Sequence, residues 1–117
     1  MKTLLILNSN PYDGTDVTRN ALRLAEQLLN IGSSVEVFLL NDSVDLAREG
    51  VSPGQYDTHL GDMLLALLNK GMSVKACLTC LSRCGLAKNK PLLSGVKEGK
   101  MTELALLIKE ADKVISF

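Results

Sequence analysis

Apolar residues along this chain fall in short runs separated by polar turns, and the spacing of those runs changes from segment to segment. Lys2 to Asn8, KTLLILN, is an aliphatic run closed by the turn-forming stretch SNPYDGTD. Its length and flanks predict a strand buried on both faces, as in a parallel sheet. From Asp16 to Asn30 the residues Val17, Ala21, Leu24, Ala25, Leu28 and Leu29 recur at helical spacing. Thr15 or Asp16 can cap that helix, and Gly32 is placed to stop it. Ser34 to Leu40, SVEVFLL, predicts a second strand from its β-branched and aromatic content.

Residues 41 to 57 predict one short helix, Ser43 to Glu49, then an irregular loop around Pro53-Gly54. A helix opened by Asp57 or Thr58 runs to Lys70, with Leu60, Met63, Leu64, Leu67 and Leu68 inward, and Gly71 ends it. Met72 to Ala76 predicts a third strand, which delivers Cys77. A short helix over Thr79 to Cys84 follows, closed by Gly85. Residues 86 to 99 predict loop, with a short strand or turn near Leu92 to Val96. Met101 to Glu110 predicts an amphipathic helix, and Lys113 to Phe117, KVISF, a closing strand.

Alternation of strand and helix means parallel strands joined by crossover helices. The chain shows no internal repeat, low-complexity tract or linker, so residues 1 to 117 form one domain. The expected fold class is α/β, a three-layer α/β/α sandwich with a mostly parallel sheet of flavodoxin-like type. Reactive groups in such sheets gather beyond the carboxyl ends of the strands. Two loops are expected there, Asn8 to Asp16 and Cys77 to Gly85.

Composition excludes several functions. A 46% hydrophobic, 22% charged chain is not a disordered one. Thirteen basic residues balance thirteen acidic ones, and two Phe, two Tyr and no Trp leave little to stack on bases, which argues against nucleic acid. No apolar stretch approaches the roughly 20 residues of a membrane helix. The Leu4–Leu7 run is too short for a secretory signal, so a cytoplasmic location with reduced thiols is expected.

All three cysteines lie in VKACLTCLSRCGL, residues 74 to 86. An odd count argues against a structural disulfide framework. Structural zinc usually takes four protein ligands, and beyond these cysteines only His59 is a candidate, so no metal site is expected. Packing remains open, since free cysteine is often simply buried. The alternative is thiol chemistry. Cys77 closes a strand, Cys80 lies in the first turn of a helix, and Cys84 is four residues on, so one helical face holds all three. The unpaired N–H groups of a helix start favour a thiolate, the reactive form, and Arg83 and Lys75 add positive charge nearby.

Other motifs carry less chemistry. Asn8 to Thr15 precedes a helix but has one glycine and no P-loop lysine, so phosphate binding is disfavoured. It reads as a turn and cap, or as a rim on which Asn8, Asn10 and Tyr12 line the cysteine site. His59 reads as a solvated residue near a helix start. Leu104, Leu107 and Ile108 read as core or as subunit interface.

The strand ending VKAC with LTCLSRCGL after it, the NSNPYDG loop, the helix ALRLAEQLL and the terminal ADKVISF together resemble the DsrE/DsrF-like family, in particular its small stand-alone, YchN-like branch. The likeness runs over the whole chain. Cys77, Cys80 and Gly85 match its C-x-x-C and following glycine. In the sulfur-relay members the persulfide-carrying cysteine stands eight residues before that glycine, the place of Cys77. Those members often have an arginine directly before the glycine, whereas this chain has Cys84 there and Arg83 one place earlier.

The resemblance implies a homo-oligomer, often a trimer or hexamer, with no tightly held organic cofactor. It implies that Cys77 carries sulfane sulfur as a persulfide between donor and acceptor proteins, in the manner of a sulfurtransferase or relay carrier. Cys80 would resolve it or pair with Cys77, while Arg83, Cys84, Asn8, Asn10 and Tyr12 would border the site. Two rivals stay open. One is a non-catalytic oligomeric module that uses the cysteines to sense redox state or bind metal. The other is a dithiol oxidoreductase, which predicts disulfide reduction by Cys77 and Cys80.

Overall fold

Parallel pairing of the aliphatic runs builds the centre of the molecule. The computed structural model describes residues 1–51 and 59–117. Five strands, β1 (Lys2–Leu7), β2 (Ser34–Leu39), β3 (Ser73–Cys77), β4 (Lys97–Gly99) and β5 (Lys113–Ser116), form one sheet in the order β4-β3-β2-β1-β5. Every pairing is parallel; Leu5 sits beside Val37, and Phe38 beside Lys75. Helices α1 (Val17–Asn30), α2 (Leu60–Asn69), α3 (Leu78–Arg83) and α4 (Met101–Glu110) make the connections, with a 3-10 helix at Asn41–Ala47. The sheet with helices on both faces is the α/β sandwich of flavodoxin-like type that the alternation predicts.

The two-residue period of the strands divides the core. Leu5, Leu7, Val35, Val37, Leu39, Val74 and Ala76 face one side, where Ala21, Leu22 and Ala25 of α1 and Leu60, Leu64 and Leu67 of α2 cover them. Leu4, Phe38 and Cys77 face the other side and meet Leu104 of α4. Each buried leucine stabilises the fold by about 1.5–3 kcal/mol. The second face is the thinner one: Leu104 is the only buried residue of α4, while Met101 and Leu106 are 59% and 58% exposed.

Three expectations needed revision. The helix foreseen over Ser43–Glu49 is a tighter 3-10 helix that begins at Asn41, and Ser43 through Ala47 are all buried. Near Leu92 to Val96 the expected turn is present, closed by the Val96 N–H on the Leu93 carbonyl at 3.2 Å beside an isolated antiparallel bridge from Leu92 to Arg48. The end of the segment read as loop, however, is a strand, β4, at Lys97–Gly99. Its sequence, KEG, carries no apolar signal because it is a three-residue edge strand. Gly99 is required there, since a Cβ would lie 2.8 Å from the Phe38 ring. Finally, α2 starts at Leu60 with His59 in the capping position. The expected loop at Pro53-Gly54 and the caps Asp57 and Thr58 lie outside the described residues.

Candidate functional site: three thiols at the carboxyl edge of the sheet

Strand β3 ends at Cys77, which is also the capping residue of α3; its Sγ accepts the backbone N–H of Cys80 at 3.4 Å. A serine or aspartate cap would place its oxygen the same way. Thiol chemistry at Cys77 calls for an accessible sulfur, and the structure buries it. Cys77 is 3% exposed and packs with Leu4, Phe38 and Leu104, because the strand alternation turns position 77 to the α4 face. Lys75 shares that face, but its Nζ is drawn to Glu103 Oε2 at 3.2 Å. Arg83 is exposed at the end of α3.

Cys80 and Cys84 are half-buried. Cys80 touches both apolar clusters, and Cys84 packs against the one under α1 and α2. The Cys80 sulfur accepts the backbone N–H of Asn41 at 3.2 Å. Asn41 has φ +54°, a left-handed conformation that asparagine tolerates better than most residues. Burial pushes the Cys80 thiol up to about 11, helped by a hydrogen bond with Cys77 and by charge on Cys77 and Cys84, against the opposing Asn41 N–H. At neutral pH Cys80 is therefore a protonated thiol.

The polar loops join in two networks. Asn41 Nδ2 donates to Asn8 Oδ1 at 3.1 Å, and Asn8 Nδ2 reaches Ser116 Oγ and the Phe117 carbonyl at 3.2 Å each. This ties the ends of β1, β2 and β5 to the Cys80 sulfur. The second network centres on Asp45, 1% exposed. Its carboxylate accepts the N–H of Leu86 at 2.7 Å, the N–H of Ala87 at 3.3 Å and the Asn10 amide at 3.1 Å. Arg48, 4% exposed, pairs with it at 3.4 Å. Arg48 also donates to the Leu81 carbonyl at 2.7 Å and the Lys88 carbonyl at 2.9 Å. Asp42 takes the N–H of Gly85 at 2.9 Å.

Asn8 and Asn10 thus reach the cysteine segment through one intermediary each, Asn41 and Asp45. Tyr12 goes elsewhere. It lines a cavity of about 220 Å³ with Arg48, His59, Gly61 and Asp62. Burial raises its phenol, while backbone hydrogen bonds from Gly61 and Leu60 at the start of α2 oppose the rise. Sequence reasoning missed Asn41, Asp42, Asp45 and Arg48. The available signal for Asp45 and Arg48 was an opposite-charge pair at i, i+3 in the otherwise apolar VDLAR.

Among the described residues, no group of three or more His, Cys, Asp or Glu is arranged to hold a metal ion, and no helix is long and apolar enough to cross a membrane.

A parallel α/β/α domain with a cysteine at the end of its third strand, a second on the helix that follows and a third just past that helix defines a class of thiol-bearing protein. The chain belongs to the DsrE/DsrF-like family, whose model matches residues 1–117. It is 35% identical to Protein YchN of Escherichia coli over 118 aligned positions, 99% of this chain and 98% of that one. The Uncharacterized protein MJ0989 of Methanocaldococcus jannaschii is 33% identical, with both chains fully covered. The crystal structure of the E. coli YchN protein superposes with a TM-score of 0.87 at 34% identity, over 100% of this chain and 99% of that chain.

Proposed function

We propose that this protein carries sulfane sulfur as a persulfide on Cys77 and passes it to the thiol of a partner protein. The observation that carries the reading is the backbone N–H of Cys80 aimed at Cys77 Sγ at 3.4 Å, and the likeness of the cysteine segment to that of the sulfur-relay members supports it. A persulfide is easily stripped by stray thiols or oxidised further. A site 3% exposed shields it. The approach to it is from the side of α3, a six-residue helix with no fully buried residue, where Cys80 and Cys84 are half-buried.

Partners in this reading are a sulfur donor, an acceptor protein, and copies of the chain itself. Self-association is supported by the apolar side chains left open on the α4 and β5 side, Met101, Leu106, Ile108 and Val114. A homo-oligomer, trimer or hexamer, would cover them. The test of the carrier role is transfer. Protein loaded with labelled sulfane sulfur and freed of donor is expected to hand the label to an acceptor thiol, and Cys77→Ser to hand over none. Equal transfer by that variant would refute the role of Cys77.

A further inference from the structure

We infer that sulfane sulfur enters and leaves through Cys84, and reaches Cys77 by way of Cys80. The inference rests on the persulfide reading and adds the route. Cys77 is enclosed among Leu4, Phe38 and Leu104, so an external donor meets apolar side chains before it meets that sulfur. Cys80 and Cys84 are both half-buried, and they are ordered in space. Cys77 belongs to the cluster on the α4 side, Cys84 packs against the cluster on the other side, and Cys80 touches both.

The backbone fixes the spacing. Cys80 N–H meets Cys77 Sγ at 3.4 Å, and Cys84 N–H meets the Cys80 carbonyl at 2.7 Å, so helical spacing extends to Cys84. Side chains three or four apart on such a turn have Cβ atoms about 5–6 Å apart, within reach of sulfur exchange. Cys77 and Cys84 are seven residues apart, about 10 Å along a helix, which is too far for a direct step. Cys84 is itself held in place from behind. Gly85, with φ +82°, donates to Asp42 at 2.9 Å, and Leu86 donates to buried Asp45.

The steps balance without an oxidant or reductant. The Cys84 thiolate attacks the terminal sulfur of a low-molecular-weight persulfide, R–S–SH. A bond from Cys84 Sγ to that sulfur forms, the R–S bond breaks, and the thiolate R–S⁻ leaves with its electron pair. Cys80 Sγ next bonds to the carried sulfur as the Cys84 bond breaks, and the Cys80 proton passes to Cys84. Cys77 repeats the exchange with Cys80, and its own thiol proton returns to Cys80. Release to a partner is the same sequence reversed. The raised Cys80 thiol fits the middle place: protonated at neutral pH, it is a slow attacker of external donors and has a proton to hand on.

Trypsin separates the thiols, because Arg83 precedes Cys84: peptide 76–83 carries Cys77 and Cys80, and peptide 84–88 carries Cys84. The probe is glutathione persulfide, with alkylation quenching at timed intervals and peptide mass spectrometry. Wild type is expected to gain sulfur on 84–88 first and on Cys77 later. Cys84→Ser and Cys84→Ala, checked for native circular dichroism, are expected to load Cys77 about tenfold more slowly or worse, as direct attack meets a buried sulfur. Cys80→Ser is expected to load Cys84 and leave Cys77 empty. Cys77 loading at the wild-type rate in both Cys84 variants would overturn the route while leaving the persulfide reading intact. A wild-type Cys77 that never gains sulfur would overturn both.

Discussion

The carboxylate of Asp45 accepts the backbone N–H of Leu86 at 2.7 Å, across 41 residues of chain. Through this contact, and through Arg48 on the Leu81 carbonyl, a buried ion pair in one connection sets the position of the cysteine helix in another. Asp45→Ala would strand the Arg48 charge, and breaking a buried pair this way costs about 3–5 kcal/mol. Urea denaturation is expected to show a loss of that order, with Asp45→Asn losing less. A change within the range of an exposed pair, under about 1 kcal/mol, would mean that Asp45 does not anchor the segment.

Gly85 cannot carry a side chain. Its φ is +82°, and a Cβ would lie 2.8 Å from Asp45 Cγ. Gly85→Ala combines backbone strain of about 1–3 kcal/mol with displacement of the anchor. Thermal unfolding is expected at a lower temperature than in wild type. An unchanged midpoint would contradict the close approach.

Titration of Cys80 leaves a mark on stability. Its thiol is raised from 9.0 to about 11 in the folded protein, so between those values the native state holds a proton that the unfolded chain has released. Stability from this group is complete below pH 9.0 and declines as pH rises through about 11. Urea midpoints measured across that window are expected to fall more steeply for wild type than for Cys80→Ser. Parallel curves would show that the folded environment leaves Cys80 unshifted.

Much of this was legible in the sequence, for identifiable reasons. The runs at β1, β2 and β3 are buried on both faces, so hydrophobicity alone marks them. The placing of the cysteine segment at the carboxyl end of β3 was legible because an apolar run ends at Cys77 and a short helix follows it. The burial of Cys77 was not, since it depends on which face of β3 receives position 77 and on α4 arriving from far along the chain. Strand β4 escaped because KEG pairs through its backbone. Asp45 and Arg48 escaped because a charged pair reads as solvated surface until tertiary structure closes over it.

The open apolar side chains of α4 predict an assembly-dependent molecule. Leu106, 58% exposed, is expected to lie in a subunit contact. Leu106→Glu would bury a charge without a partner and is expected to lower the mass seen by light scattering after size exclusion. A wild type that already elutes as a monomer, or a variant with unchanged mass, would remove this surface from the account.

The central claim concerns the sulfur at position 77, and peptide mass spectrometry after loading with a persulfide donor reads it most directly. The account predicts that, once excess donor is removed, peptide 76–83 keeps one added sulfur, that fragmentation assigns it to Cys77, and that reductant releases it. A stable added sulfur found on Cys80 alone, or a Cys77→Ser protein that retains as much sulfur as wild type, would contradict it.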